Sequence, residues 1–515
     1  MPVADLPPAP QWEMVELVLQ SNHAYENPYV EVDVWVDFTH EDGTTLRRPG
    51  FWDGDDTFKV RFASTKDDGT WHWESDANVD DPGLADGSGS LAATPATKET
   101  AFSQHGFWTI DPGARQIRHH DGSDAFMVAD TPWAIPWRAT HGEVEIYAAD
   151  RQAKGFNAAL LMSVMPDQDA EGPTDRTQPH GFARGFADLS QGQLKQLDPA
   201  YFQYLDRSVQ TLVEHGIVPV WNPVFHGYGW KGLRVAGPDV PPSDYARYCR
   251  YLVARYGAHP AIWLVLGDGN GHEPTIRPGG QEIEKWDAYQ HPTGLHYGPH
   301  WPPQAKQAEP WLDFQWTQTG HSGEHRQDRL AAMWNTHPNK AAANGEPTYE
   351  NISRMGNGAG WWQGHEAWSN LCAGGVMGVV YGAGSLWNWI HPGEVDQPEW
   401  ARAPDTSWRQ ALDFEGSNYV GLMSRILDGL PLHGIHPDHT TTYGRRAVFA
   451  PNQLLIVYLE SGGNHQVIRD DIPDRYRVYD LKTGEVTLTG SISESGRTIR
   501  DTGDGPRAVI YSTTY

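Results

Sequence analysis

The fold is decided by two stretches, Ile262-Trp263-Leu264-Val265-Leu266-Gly267-Asp268 and Ala341-Ala342-Ala343-Asn344-Gly345-Glu346. In each, an apolar run typical of a buried strand passes through glycine to an acidic residue. The acid therefore lies at the carboxyl-terminal tip of its strand. In a parallel α/β barrel these tips form the catalytic face, so we expect Asp268 and Glu346 to meet there.

Short apolar runs alternate with helical stretches between residues 101 and 430. Strands are predicted at residues 125–129, 157–162, 218–221, 262–266, 294–297, 314–317, 341–344 and 376–381, with helices such as 199–215 and 243–256 between some of them. Eight strands with intervening helices in one region of this length predict a (β/α)8 TIM barrel.

Both flanks of this region have the period-two pattern of β-strands. In residues 1–100 strands are predicted at 12–19, 30–38, 57–62 and 70–74, and in residues 431–515 at 446–450, 454–459, 475–480, 486–489 and 508–512. The predicted fold class is therefore α/β: a (β/α)8 barrel at 101–430, flanked by antiparallel β-sandwich domains at 1–100 and 431–515.

Composition excludes several classes of partner. The net charge is −27, which argues against nucleic acid and against anionic membrane surfaces. The 23 Trp and 21 Tyr residues fit carbohydrate handling, because aromatic faces stack on sugar rings. A homo-oligomer stays open. No signal peptide pattern or membrane-spanning run is visible, which predicts a cytoplasmic protein or one whose export signal has been trimmed.

No metal or cofactor is predicted. The two cysteines, Cys249 and Cys372, form no CxxC motif. The segment from His321 to His325 lacks the helical spacing that places two imidazoles on one zinc ion.

Two carboxyl groups at one barrel face suit glycosidic bond cleavage. Retaining enzymes hold them roughly 5 to 5.5 Å apart and inverting enzymes hold them further apart, a difference that the sequence leaves open. Two other classes also stay open: a barrel that binds carbohydrate without cutting it, and a polysaccharide lyase.

Several motifs are shared with a known family. They are Ala129-Asp130-Thr131-Pro132-Trp133, Gln318-Thr319-Gly320-His321, Glu346-Pro347-Thr348-Tyr349-Glu350 and Ser385-Leu386-Trp387-Asn388-Trp389. On these residues the chain resembles the apiosidase-like glycoside hydrolases, family 140 and its relatives. The resemblance implies Asp268 as acid/base and Glu346 as nucleophile. It also implies a terminal pentofuranose, such as apiose or arabinose, as the released sugar.

Further polar and aromatic residues near strand ends are candidates for substrate binding. The polar ones, which would hold sugar hydroxyls, are Asp130, His226, His296, Gln318, His321 and Glu350; the candidate stacking walls are Trp133, Trp316, Tyr349 and Trp387. Because Glu350 follows Glu346 by four residues, it also stays open as an alternative nucleophile.

Two loops are expected to shape the mouth of the barrel. The long segment 165–197 follows the second predicted strand, and the aromatic segment 226–230 follows the third. Loops after barrel strands surround the active site, so these two should close the cleft into a pocket. A pocket favours release of one terminal sugar over cutting within a chain.

Overall fold

Eight parallel strands form the centre of the molecule. The computed structural model describes residues 6–178, 180–227, 234–321, 323, 327–352, 360–394, 406–438 and 446–515. The central strands are β11 (Met127–Asp130), β12 (Ala158–Met162), β13 (Val218–Asn222), β14 (Ile262–Gly269), β15 (Thr293–Tyr297), β16 (Phe314–Gln318), β17 (Ala341–Glu346) and β18 (Gly378–Val380). All eight predicted strands are present.

The strands pair in chain order, and β18 returns to pair with β11. The remaining gap between β17 and β18 is bridged by the Met377 amide, which donates to the Ala342 carbonyl at 3.4 Å. The sheet is thus a nearly closed barrel, and the predicted TIM barrel is confirmed. Its interior is filled by apolar side chains from alternate strand positions, among them Leu160, Val220, Leu264 and Phe314.

Helices cover the outside of the barrel. They are α3 (Ile135–Arg138), α4 (His141–Lys154), α5 (Pro199–Glu214), α6 (Pro242–Tyr256), α7 (Ile276–Trp286), α8 (Gln327–Trp334), α9 (Trp361–Ala373), α10 (Trp408–Ala411) and α11 (Glu415–Leu427); short helices α1 (Pro28–Glu31) and α2 (Ala101–His105) precede them, and α12 (Ile492–Ser495) follows. Local sequence sets the ends of α4: Thr140 and Glu143 form a capping box, and Gly155 ends the helix in the left-handed conformation. None of the described helices is long and apolar enough to span a bilayer.

The amino-terminal strands form two layers around an apolar core, and all strand pairs within them are antiparallel except the pair of residues 9–10 with residues 93–94. They are β1 (Ala9–Pro10), β2 (Met14–Gln20), β3 (Val34–His40), β4 (Thr45–Pro49), β5 (Phe51–Gly54), β6 (Thr57–Ala63), β7 (Thr70–Ala77) and β8 (Ser88–Thr94). One sheet has the order β1-β8-β7-β3-β4 and the other β2-β6-β5. A two-stranded ribbon of β9 (Trp108–Thr109) and β10 (Arg118–His119) leads to the barrel.

The strand predicted from residue 30 begins later, at Val34. Residues Pro28–Glu31 are helical instead, because Asn27 accepts a hydrogen bond from the Val30 amide and proline occupies the first helical turn. Asparagine caps and first-turn prolines both favour a helix start, and here they outweigh the β-pattern.

A buried ionic cluster joins the amino-terminal layers to the barrel helices. Asp206 on α5 accepts hydrogen bonds from Arg61 on β6 and from Arg255 on α6, with closest distances of 2.6 Å and 2.7 Å. Arg61 also donates to the Arg255 carbonyl at 2.7 Å. Burial alone would raise the pKa of Asp206, but the two guanidinium groups hold it below its usual range.

The carboxyl-terminal strands form a six-stranded antiparallel sheet of order β19-β20-β21-β26-β23-β24. These are β19 (His436–Pro437), β20 (Arg446–Ala450), β21 (Leu454–Leu459), β23 (Arg475–Asp480), β24 (Val486–Ser491) and β26 (Arg507–Ser512), and a ribbon of β22 (His465–Gln466) with β25 (Thr498–Ile499) covers one face. The central strands β21 and β26 are buried on both faces. One face packs against the ribbon and the other against the barrel, where Tyr458 lies against Trp368 of α9.

Candidate active site

Asp268 lies at the tip of β14, where the regular strand pairing is interrupted. The register with β15 shifts between Leu264 and Leu266 and again between Gly267 and Gly269. Asp268 itself has a φ of 59°, in the left-handed region that side-chain-bearing residues rarely occupy. Its carboxyl group is buried against Gly227, where any β-carbon would approach the Asp268 Cβ to 2.4 Å.

Glu346 ends β17 and is also buried. The neighbouring strand tip supplies its hydrogen-bond partners. Its Oε1 lies 3.0 Å from His321 Nε2, and Gln318 hydrogen-bonds the same carboxyl group. The Thr319 amide donates to the Glu346 carbonyl at 3.2 Å, which holds the tips of β16 and β17 together.

His296, at the tip of β15, lies between the two acids. Its Nδ1 is 3.9 Å from Asp268 Oδ1, and its Nε2 is 3.7 Å from Glu346 Oε2. One ligand atom from each of the three side chains lies within 4.8 Å of the others. This triangle brings the two carboxyl groups to within the reach of one substrate atom, and the same three groups could also hold a divalent cation.

Burial dominates the protonation of the two acids. Burial, and secondarily the charge of Glu346, raises the pKa of Asp268 well above its ordinary value. Burial also raises the pKa of Glu346 to about 8, and the hydrogen bond from Gln318 opposes this rise. Because the two carboxyl groups are so close, ionisation of one disfavours ionisation of the other, and the first proton leaves only above the ordinary carboxyl range.

Hydrogen bonding favours ionisation of Glu346 over ionisation of Asp268. Donors stabilise a carboxylate, and Gln318 and His321 both face Glu346. Asp268 Oδ1 accepts no hydrogen bond from any residue that the structure describes. These donors favour Glu346 as the acid that ionises first.

His321 is a neutral hydrogen-bond donor to Glu346. Burial lowers the pKa of His321 to about 4, so near pH 7 its ring carries a single proton. His321 Nδ1 lies 3.2 Å from the Tyr349 amide, which donates, and 3.1 Å from the Pro347 carbonyl, which accepts. In the tautomer whose Nδ1 accepts from Tyr349, Nε2–H donates to Glu346.

A buried network behind the acids, centred on Glu366 of α9, was missed by the sequence reasoning. Glu366 accepts hydrogen bonds from the Thr319 hydroxyl at 3.1 Å and from the Thr348 amide at 3.0 Å, and Asn344 donates to Thr319 at 2.9 Å. Glu366 thereby ties α9 to the tips of β16 and β17. A glutamate in the interior of a buried helix is the only signal for it in the sequence.

Three of the predicted aromatic residues lie around this centre. The ring of Tyr349 is 4.4 Å from that of His321, centre to centre. Trp133 makes edge contacts with Phe225 and with the half-exposed Trp387, at 4.9 Å and 5.5 Å. Trp133 and Phe225 also line a small cavity that reaches His296.

Four predicted substrate-binding residues are engaged by the protein instead. Asp130 is fully buried and forms an ion pair with Arg151 at 2.6 Å. Trp316 is fully buried in the barrel interior, where its indole N–H points to the sulfur of Met377 at 3.4 Å. Neither side chain has a face that a sugar could contact.

The other two are Glu350 and His226. Glu350 accepts hydrogen bonds from the Gly360 and Gly416 amides at 2.9 Å and 3.0 Å and from the Tyr381 hydroxyl at 2.7 Å, so its carboxylate holds three segments together. We therefore discard it as the nucleophile. His226 packs against Tyr245 and lies 3.2 Å from the Thr275 hydroxyl, on the helix side of β14.

Part of the predicted mouth lies outside the described residues, namely 228–230 of segment 226–230, as do Glu324 and His325. The other predicted loop, 165–197, is described except for residue 179, and it packs through Phe182, Phe186 and Leu194. The Gln168 amide in this loop donates to the Arg234 carbonyl at 2.8 Å. The loops after β12 and β13 are thus joined.

Residues 111–433, more than half of the chain, match the family described as apiosidase-like, catalytic domain. The chain belongs to this family. The matched region contains every residue of the candidate site. Residues 8–78 match a separate family described as a domain of unknown function, DUF5060. No curated protein matches the chain significantly.

Solved structures extend the likeness beyond this apiosidase-like barrel. A putative glycoside hydrolase from Bacteroides vulgatus aligns with a TM-score of 0.70 at 17% identity, over 99% of this chain and 100% of that one. A family 5 glycoside hydrolase from the same organism aligns with a TM-score of 0.64 at 19% identity, over 81% of this chain and 95% of the other. At such identities the likeness shows a shared fold, including the flanking sheets. Together with the family match, it supports glycosidase activity for the apiosidase-like barrel.

Proposed function

We propose that the protein is a retaining glycoside hydrolase in which Glu346 is the nucleophile and Asp268 is the acid/base. The observation that carries the proposal is the short distance between the Asp268 and Glu346 carboxyl groups, together with their unequal hydrogen bonding. The two carboxyl groups lie within 4.8 Å of each other, and the hydrogen-bond donors face Glu346. A short separation of roughly 5 to 5.5 Å is typical of retaining glycosidases.

The chemistry follows from the protonation of the pair. Asp268 donates its proton to the glycosidic oxygen, while the Glu346 carboxylate forms a bond to the anomeric carbon and the bond to the leaving oxygen breaks. The departing half leaves as an alcohol. Asp268, now ionised, takes a proton from water as the water attacks the anomeric carbon and releases Glu346. One water is consumed, and both acids return to their starting states.

His321 and Gln318 act through Glu346 in this scheme. Their hydrogen bonds stabilise the carboxylate before attack and orient it towards the anomeric carbon. His296, between the two acids, is placed to contact the sugar ring held there. It is neutral, because burial lowers its pKa to about 3, so it adds no charge that would compete for the proton of Asp268.

We propose further that the enzyme releases a single terminal sugar, with a pentofuranose such as apiose or arabinose as the first candidate. The family name supports the sugar class. The joined loops after β12 and β13 support a closed pocket, since their described residues form a continuous wall on that side of the barrel mouth.

The test is to screen arabinofuranosides, apiosides and plant oligosaccharides for released sugar, and then to compare Glu346→Gln with wild type. We expect turnover to fall by at least about a thousandfold, because the nucleophile is lost. The melting temperature should stay equal or rise, since a buried carboxyl group becomes a neutral amide. Proton NMR of the first product should show retained anomeric configuration, and only monosaccharide should appear at early times.

Three outcomes would contradict the proposal. Near-normal turnover of Glu346→Gln would exclude the nucleophile, and early intermediate oligomers would exclude the pocket. Loss of activity on treatment with EDTA, restored by a divalent metal, would show that the triangle with His296 acts as a metal site.

A further inference from the structure

Trp301 is the only exposed tryptophan in the ranges that the structure describes, with 46% of its surface open to solvent. It lies in the segment 298–313 that joins β15 to β16, on the catalytic face of the barrel. An exposed indole forgoes the free energy of burial, and its flat apolar face beside the candidate active site is open to contact a ligand.

The position of Trp301 relative to the acid/base candidate is fixed by Gly298. The Gly298 amide donates to the Gly269 carbonyl at 3.2 Å, and the Trp301 amide donates to the Gly298 carbonyl at 3.2 Å. A β-carbon added at Gly298 would lie 2.7 Å from the Asp268 carbonyl oxygen and 3.4 Å from Cδ1 of Trp301. One glycine thus separates the indole edge from the backbone of Asp268.

The segment that carries Trp301 is held from several sides. Arg329 on α8 donates to the carbonyls of Pro299 and Gln318. Gln304 donates to the Thr336 hydroxyl at 3.0 Å, and Gln307 donates to the Pro338 carbonyl at 2.6 Å. The backbone that carries the indole is therefore held before a ligand arrives, which reduces the entropy lost on binding.

We propose that Trp301 is a stacking platform for the sugar on the leaving-group side of the cleaved bond. The inference rests on the proposed function, because it takes Asp268 as the group that protonates the leaving oxygen. A sugar attached through that oxygen lies on the Asp268 side of the cleaved bond, and Trp301 is the exposed tryptophan that the described contacts place beside Asp268. The enzyme would then recognise an oligosaccharide through two rings, the terminal sugar in the pocket and the next sugar on the indole.

The test compares two substrates that share the same terminal sugar. One is methyl arabinofuranoside, whose leaving group is too small to reach the indole, and the other is an arabinofuranosyl-terminated oligosaccharide. We expect Trp301→Ala to lower kcat/KM for the oligosaccharide about tenfold and to leave the methyl glycoside within about twofold of wild type. Trp301→Phe, which keeps a ring, should recover most of the loss, and Val18→Ala, an exposed change on the amino-terminal sheet, should change neither.

Equal effects of Trp301→Ala on both substrates, or no effect on either, would contradict the proposed stacking role of Trp301. Calorimetric titration of the oligosaccharide into Glu346→Gln, with and without Trp301→Ala, makes the comparison without turnover. If wild type cleaves neither substrate, the proposed hydrolysis of arabinofuranosides fails. A tenfold weaker affinity in the double variant would then still support the platform, and equal affinities would still refute it.

Discussion

At the scale of single residues, the two acids depend on unequal hydrogen bonding for their different roles. Both are buried, and burial raises both pKa values. Gln318 and His321 stabilise the charge of Glu346, whereas Asp268 Oδ1 has no such donor among the described residues. A pair of identical groups in one cleft is thereby divided into a nucleophile and an acid.

This division predicts the pH dependence of kcat/KM. Activity should fall at low pH as Glu346 becomes protonated, and at high pH as Asp268 loses its proton. Because both pKa values are raised, we expect the whole bell-shaped profile above the ordinary carboxyl range of about 3.9 to 4.3. Gln318→Ala removes a donor from the ionised form of Glu346, so it should move the acid limb to higher pH.

The profile can be measured on any substrate that the screen identifies. Gln210→Ala, which removes an exposed hydrogen bond to Glu214 on α5, is a matched control and should leave both limbs in place. An acid limb that moves to lower pH in Gln318→Ala would contradict the assigned role of Gln318.

The expectation that residues at the carboxyl ends of parallel strands form the site predicted part of it from the sequence. The candidates for which this expectation failed did so for a physical reason. Asp268, His296, Gln318 and Glu346 come together because the carboxyl ends of parallel strands share one edge. Trp316 was misplaced because it points into the barrel like Gln318, two residues later, but one layer deeper. The sequence pattern gives the direction of a side chain and not its depth.

Residues far apart in sequence account for the other misplaced candidates. Asp130 and Glu350 have the polarity of sugar ligands, yet their partners Arg151, Tyr381 and Gly416 reach them through the fold. Trp301 was missed for the opposite reason. It follows no periodic pattern, and only its exposure in the structure separates it from the other tryptophans.

At the scale of elements, the ion pair between Asp130 and Arg151 joins strand β11 to helix α4. Both side chains are fully buried, and Tyr147 of the same helix donates to Asp130 at 3.1 Å. We expect Asp130→Asn to lower the free energy of unfolding by about 3 kcal/mol, because a buried guanidinium loses the fully buried one of its two carboxylate partners. Urea unfolding followed by circular dichroism measures this.

The matched control is Asp150→Asn. Asp150 binds the same arginine at 2.6 Å but is partly exposed, so its loss should cost about 1 kcal/mol or less. KM should be unchanged in Asp130→Asn, because the side chain does not face the cleft. A large rise in KM with normal stability would return Asp130 to the substrate site.

At the scale of the whole molecule, the amino-terminal layers and the barrel are joined through charge. Asp206 links Arg61 of one region to Arg255 of the other, and removal of its charge would leave Arg61 with Glu16 and Arg255 with Asp53 as carboxylate partners. We expect wild type to unfold in a single calorimetric transition. Asp206→Asn should lower the melting temperature or divide the unfolding into two transitions.

Asp37→Asn is the control for this prediction, because Asp37 pairs with Arg47 on the exposed surface of the same amino-terminal region. Exposed pairs contribute about 0 to 1 kcal/mol, so its transition should be nearly that of wild type. Two transitions already in wild type would show that the two regions unfold independently and that the ionic cluster does not couple them.

The left-handed backbone of Asp268 has a consequence for engineering the protein. Such a conformation costs a residue with a side chain of the order of 1 kcal/mol, and glycine or asparagine tolerates it better. Laboratory evolution for thermostability would therefore enrich glycine or asparagine at position 268, and the most stable variants would lack catalytic activity. A library selected for thermostability should keep aspartate at position 268, or each round of selection should include an assay of product formation.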